Sequence, residues 1–299
     1  MMGLYKVVAF TLVSSLIYAA PHEDRKKTPS HIDTIVVFGD SYSDVGNSYR
    51  LSNKTYPPSY YYNGRFSNGP LWPEYIQEFT QWKVLNYAYS GATISNKLIQ
   101  GYSGYGQKIP IPSIVEQIKE HADFLARNPD GANPKSTQYV IVVSGNEYTY
   151  GNYTTTPEEL AKTIYETSKL LFKPPFSGKY FMYANVALDR LAYNINSNII
   201  INNLARFYRL KHNEILGKLV HSISEVNAKI FDMNEFLRNE LSAPIYVNST
   251  IPCIQDFITP NVVPKICEIP EKKLFWDLLH LSTMAHQRLA NAIIKAATD

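Results

Sequence analysis

Three side chains in this sequence have the types needed to attack a carbonyl: Ser41, Asp277 and His280. A serine hydroxyl is a weak nucleophile at its own pKa and needs a base beside it. An imidazole oriented by a carboxylate is such a base, because the carboxylate also stabilises the ring once it is charged. Ser41 lies in Gly39-Asp40-Ser41-Tyr42-Ser43-Asp44-Val45-Gly46-Asn47, and Asp277 and His280 lie three apart in Phe275-Trp276-Asp277-Leu278-Leu279-His280-Leu281-Ser282. Each segment also has a plainer explanation. A turn capped by Asp or Ser accounts for Gly-Asp-Ser, and a helix-capping Asp with a surface His accounts for the second segment. Of the seven histidines, only His280 stands in this setting; His286 falls inside an expected helix, as a structural residue.

Acyl transfer also needs donors for the oxyanion. Tyr89-Ser90-Gly91-Ala92 offers the Gly91 backbone N–H, and Ser144-Gly145-Asn146-Glu147 offers the Asn146 amide. With the Ser41 N–H they would make a three-donor oxyanion hole. Either segment alone reads equally well as an ordinary turn.

These residues need a scaffold that brings them together. Short apolar runs at Ile35–Phe38, Val84–Ala88, Tyr139–Val143, Tyr180–Ala184 and Ile230–Phe231 each lead into a polar or Gly-containing segment. Continuous runs of this kind suit strands buried on both faces. Helical spacing takes over at 71–80, 112–127, 157–172, 197–226 and 283–297. The longest of these sets Ile200, Leu204, Phe207, Ile215, Leu219, Ile223 and Val226 on one apolar stripe. Strands alternating with helices imply an α/β fold with a doubly wound parallel sheet. Ligands of such sheets bind beyond the carboxyl ends of the strands, and all five candidate residues follow a strand or precede the last helix. Residues 42–69 and 242–276 are irregular. No repeat or linker divides the chain, so residues 33–299 read as one domain.

The N-terminus reads as a signal peptide over residues 1–20: Lys6, then an apolar run from Val7 to Tyr18, then Ala19 and Ala20. A loose leader follows over 21–32. No later segment is apolar for long enough to span a membrane. Asn53, Asn152 and Asn248 each begin an Asn-X-Ser/Thr acceptor for glycosylation. The two cysteines, Cys253 and Cys267, share one Pro-rich loop and can bridge in an oxidising compartment, although two free thiols would satisfy the sequence as well. The expectation is a secreted, extracellular monomer. A net charge of +3 with no basic stripe argues against nucleic acid. No G-x-G-x-x-G supports a nucleotide site, and no cofactor or metal is called for.

Taken in order, the four segments resemble the blocks of the SGNH, or GDSL, family of serine esterases and lipases. The first block is very like the family signature. Asn63-Gly64-Arg65-Phe66-Ser67-Asn68-Gly69-Pro70-Leu71-Trp72 is similar to the segment that follows it in plant and fungal members. Asn86–Thr93 resembles the glycine block, and the likeness extends over residues 33–297. It implies a three-layer α/β/α sandwich of flavodoxin-like type and a hydrolase acting on carboxylic esters. It further implies Ser41 as nucleophile, His280 as base, Asp277 as its orienter, and Ser41, Gly91 and Asn146 as the oxyanion hole. Two positions depart from the pattern. The third block usually reads Gly-x-Asn-Asp, whereas here Asn146 directly follows Gly145 and precedes Glu147. Leu281 stands where Pro is favoured after the histidine.

Tyr56, Tyr60, Tyr61 and Tyr62 lie in a loop expected near the site, where their faces suit sugar rings or acyl chains. No exposed apolar lid is evident. The expected substrate is therefore a short-chain acyl or acetyl ester on carbohydrate. A lipase, phospholipase or acyltransferase acting on lipid esters is the alternative. The alternative of another class is a catalytically inactive relative that binds glycans or a partner.

Overall fold

A computed structural model describes residues 31–299. The expected signal peptide and residues 21–30 of the leader lie outside the described residues. The last two leader residues are already part of the domain: His31 stacks on Tyr180, and Ile32 is buried in the core.

Five parallel strands form the sheet: β1 (Thr34–Phe38), β2 (Lys83–Asn86), β3 (Thr137–Val142), β4 (Tyr180–Ala184) and β5 (Asn227–Phe231). Their order is β2-β1-β3-β4-β5, the order of flavodoxin-like doubly wound sheets. β1 lies between β2 and β3, with Ile35 opposite Val84 on one side and Gln138 on the other.

Side chains alternate along each strand and feed two cores. Ile35, Val37, Val140, Val142, Met182 and Ala184 face one layer, built from α1 (Trp72–Thr80), α5 (Met233–Leu241) and α6 (Thr283–Thr298). Val36, Phe38, Tyr139, Ile141, Phe181 and Tyr183 face the other, built from α2 (Ile114–Arg127), α3 (Pro157–Ser168) and α4 (Ile199–His221). The fold is the expected three-layer α/β/α sandwich. Covering both faces is why the strands read as unbroken apolar runs.

The five expected helices and five expected strands fall close to their places; the sixth helix, α5, is not among the expected ones. The apolar stripe of α4 does not fall where expected. The buried face carries Ala205, Arg209, His212, Leu216 and Val220, while Ile200 is 76% exposed, Phe207 52% and Leu204 39%. The reason is length. At 23 residues α4 is about 35 Å long, twice the roughly 17 Å of the five-residue strand before it. Its first turns overhang the carboxyl edge of the sheet. Of the expected stripe, only Ile215, Leu219 and the residues beyond, Ile223 and Val226, pack against the core.

Candidate active site

Every candidate residue lies at the carboxyl edge of the sheet. β1 ends at Phe38, and Gly39 is held by a side chain rather than a strand. Gln117 of α2 accepts from the Gly39 N–H and donates to its carbonyl, both at 2.9 Å. Nothing in the sequence set this Gln apart from the other polar residues of α2. Asp44 then folds the loop back on itself. Its carboxylate accepts from the N–H groups of Gly46, Asn47, Ser48 and Ser90, which ties the serine loop to the glycine block.

Ser41 is 8% exposed, and its Oγ lies 2.9 Å from His280 Nε2. The other ring nitrogen, Nδ1, lies 2.8 Å from Asp277 Oδ2. Asp277 Oδ1 accepts from the N–H groups of Leu279 and His280 at 2.8 and 2.7 Å. The capping explanation of Asp277 therefore holds for its own turn, and the same carboxylate also holds the imidazole. The helix that follows is capped by Ser282 instead. Leu281 is fully buried and pairs with Phe275 across this turn. Burial would raise the Asp277 carboxyl. The charge and hydrogen bond of His280, with the hydroxyl of Tyr61, outweigh that and hold it below the ordinary value.

Tyr61 is the residue whose role sequence reasoning missed. Its hydroxyl donates to Asp277 Oδ2 at 2.7 Å, and the ring is buried against Phe66 and Trp276. Burial and the Asp277 charge push that hydroxyl well above its ordinary value, so it stays a donor. Tyr56 packs on Phe66 and Tyr105. Tyr60 packs on Tyr61 with the rings tilted, and Tyr62 lies exposed beneath the Arg65 guanidinium. The tyrosine-rich loop mostly packs upon itself and the site.

The backbone N–H groups of Ser41 and Gly91 have no acceptor among the described residues. Gly91 has φ +86°, and a Cβ there would sit 2.1 Å from the Tyr102 carbonyl oxygen, so no other residue fits. Asn146 Nδ2 donates to Ala92 O at 2.9 Å, which joins the third block to the glycine block and leaves its second N–H unused. With Asn146 taken as the asparagine of that block, Ser144 stands where the pattern has Gly. That substitution adds a contact. The Ser144 N–H and hydroxyl both donate to Asp40 Oδ2, at 2.7 and 2.5 Å. Burial still raises the Asp40 carboxyl above its ordinary value, against these bonds.

Glu147, the other departure, is fully buried. Its Oε1 accepts from the Ile94 N–H, and its Oε2 has no partner among the described residues. Burial, with the Asp40 charge added, pushes the carboxyl up from 4.5 to about 7. The sign for stability follows. The unfolded chain releases this proton near pH 4.5 and the folded chain keeps it to about 7. Folding is therefore weakened progressively across that window, by about 3 kcal/mol in all. Glu147→Gln should remove this loss. Its Tm relative to the wild type should climb between pH 4.5 and 7 and level off above. Parallel Tm curves for the two proteins would locate the pH dependence elsewhere.

His286 is buried, and burial with the charge of His280 lowers it to about 3, as suits a neutral core residue. Cys253 and Cys267 are joined in a disulfide. It anchors the irregular segment beside the site, where the Cys253 and Ile254 N–H groups donate to the carbonyls of Phe275 and Trp276. Asn53, Asn152 and Asn248 are all exposed, and all have left-handed backbone (φ 52°, 46° and 50°), which asparagine tolerates better than most residues. Among the described residues there is no acidic, His or Cys cluster able to hold a metal.

The sequence profile of the GDSL-like lipase/acylhydrolase family matches residues 35–293. The chain belongs to that family. This GDSL-family protein is accordingly a hydrolase of ester bonds. It is 25% identical over 295 residues to a thermolabile hemolysin of Vibrio parahaemolyticus, covering 92% of this chain but only 66% of the hemolysin's length. It is 22% identical over 357 residues to a GDSL esterase/lipase of Arabidopsis thaliana, covering 97% of this chain and 92% of the relative. Among solved structures, an acetylxylan esterase of Geobacillus stearothermophilus aligns with a TM-score of 0.47 at 16% identity, over 91% of this chain and 96% of that one.

Proposed function

We propose that the protein hydrolyses carboxylic esters through a covalent acyl-enzyme on Ser41. The observation that carries this is the unbroken line from Ser41 Oγ through the His280 ring to Asp277, with both contacts under 3 Å. His280 Nε2 takes the Ser41 proton as the oxygen attacks the carbonyl. The N–H groups of Ser41 and Gly91 and the free hydrogen of the Asn146 amide receive the oxyanion. His280 returns its proton to the departing alkoxide and then draws one from the water that releases the acid. Asp277 stays charged throughout. The test is a fluorophosphonate probe followed by peptide mapping. A single adduct on the peptide containing Ser41 is expected. An adduct elsewhere, or none on protein that turns over an ester, would remove Ser41 from the role.

We further propose that the protein is secreted. Its signal-like N-terminus, its disulfide and three exposed acceptor asparagines support that reading. Retention of all the protein inside the producing cells would count against it.

For the substrate, two observations favour lipid esters over acetyl esters on carbohydrate. The tyrosine faces suited to sugar are largely used in internal packing. Large apolar side chains, Ile200 and Phe257 among them, are exposed on segments linked through Tyr193 to the Asp277–His280 turn. A chain-length series of p-nitrophenyl esters separates the two, and a strong preference for acetate would restore the carbohydrate reading.

A further inference from the structure

The overhanging turns of α4 do not stand alone. Tyr193, in the short helix just before α4, donates its N–H to the carbonyl of Leu278 in the Asp277–His280 turn, at 2.7 Å. Its ring rests on Phe257 of the disulfide loop, 5.8 Å between centroids. Asn202 of α4 donates to the Asn194 carbonyl, and Asn196 to the Thr250 carbonyl. The first turns of α4 and the disulfide loop are thus tied to the two sides of one structure that borders the catalytic turn. Each presents large apolar groups to solvent: Ile199, Ile200 and Phe207 on the helix, and Phe257, Val262 and Val263 on the loop, the last 78% exposed. Scattered exposed apolar residues need no explanation, but a grouping of this kind does.

Charge narrows the occupant. Over its first fifteen residues α4 carries Arg206, Arg209 and Lys211 and no acid, the first being Glu214. Arg209 is buried on Asp189, whereas Arg206 and Lys211 flank the exposed apolar stripe, Lys211 being 3.9 Å from Glu214 in a loose, exposed pair. Arg206 makes no ion pair among the described residues. In the loop, Asp256 and Glu268 offset Lys265, so the positive field belongs to the helix. An apolar stripe edged by Arg and Lys is the pattern of a helix lying in the interface of an anionic membrane. Position points the same way. A protein seated here would crowd the mouth of an ester hydrolase, while a lipid surface would present esters to it.

We infer that the first turns of α4 and the disulfide loop form a docking surface for phospholipid bilayers that contain anionic lipid. The inference rests on the reading of the substrate as a lipid ester and adds how that substrate is reached. Phe207 and Ile200 enter the acyl boundary from one side of the site, and Phe257 and Val263 from the other. Arg206 and Lys211 meet the head groups.

The test uses the full-length processed protein carrying Ser41→Ala, so that lipid is not consumed. It is sedimented with vesicles of phosphatidylcholine, with and without phosphatidylglycerol. Binding is expected to both, tighter with phosphatidylglycerol, and weakened by salt for that lipid. A variant combining Ile200→Glu, Phe207→Glu and Val263→Glu should bind about a hundredfold more weakly or worse. In the Ser41 background that variant should hydrolyse soluble p-nitrophenyl acetate at the parent rate, which reports an intact fold and site. Equal vesicle binding by parent and variant, or no binding by the parent, overturns the inference. So does a parent dimer that the three substitutions dissociate, because the face would then belong to a second copy. Vesicle binding without any ester hydrolysis by the wild type would instead sink the hydrolase reading and leave the docking surface standing.

Discussion

Replacing Ser41 with alanine is expected to lower kcat for p-nitrophenyl butyrate by about 10⁶-fold, the scale seen when a serine hydrolase loses its nucleophile. The fold should not notice the change. Among the described residues the Ser41 hydroxyl bonds only to His280, so its loss leaves no other buried group unpaired. Asp44, Gln117 and Asn146, which hold the surrounding loops, do not depend on it. Tm within a degree or so of the wild type is the expected companion result. Activity retained in Ser41→Ala, with the fold intact, would refute Ser41 as the nucleophile and require a different one.

The second large effect is expected at Asp277. Asp277→Asn preserves volume and can still accept from the Leu279 and His280 N–H groups. Its amide nitrogen would then take the place of Oδ2 and present hydrogens to both His280 Nδ1 and the Tyr61 hydroxyl. That forces the wrong imidazole tautomer, with the proton on the nitrogen that faces Ser41. The expected cost is about 10⁴ in kcat with KM little changed. Tyr61→Phe acts on the same carboxylate but removes one hydrogen bond of several. A drop of about tenfold in kcat is expected, because one bond to a charged group contributes about 1.5 kcal/mol or somewhat more. The two substitutions together should cost less than the product of their separate effects, because both work through one carboxylate. Strict multiplicativity in that double mutant would mean that Tyr61 acts on something other than Asp277.

Much of this protein was legible in the order of its residues. Runs such as Val36–Phe38 and Tyr139–Val142 could only be strands covered on both faces, because apolar side chains pointing both ways need two cores. The breaks after those runs located Ser41, Gly91 and Asn146, since a doubly wound sheet exposes its loops at that edge. The pairing of Asp277 with His280 was local, three residues apart, and therefore visible.

What the sequence could not decide were contacts whose partners lie far away along the chain. Tyr61 and Asp277 are 216 residues apart, and Ser144 and Asp40 are 104 apart. Nothing local marks a tyrosine as a donor to a carboxylate rather than a surface for sugar. Helical periodicity has the same limit. It showed that α4 has an apolar face, but whether a face is buried depends on what lies opposite it. Where α4 outruns the sheet, nothing does. Sequence alone determined the strands, the layers and the candidates Ser41, Asp277 and His280, because backbone period and side-chain chemistry are properties of neighbours. The tertiary structure alone decided that Tyr61 supports the site and that Ile200 and Phe207 face solvent, because burial is set by the distant segment that arrives, or fails to arrive, against each side chain.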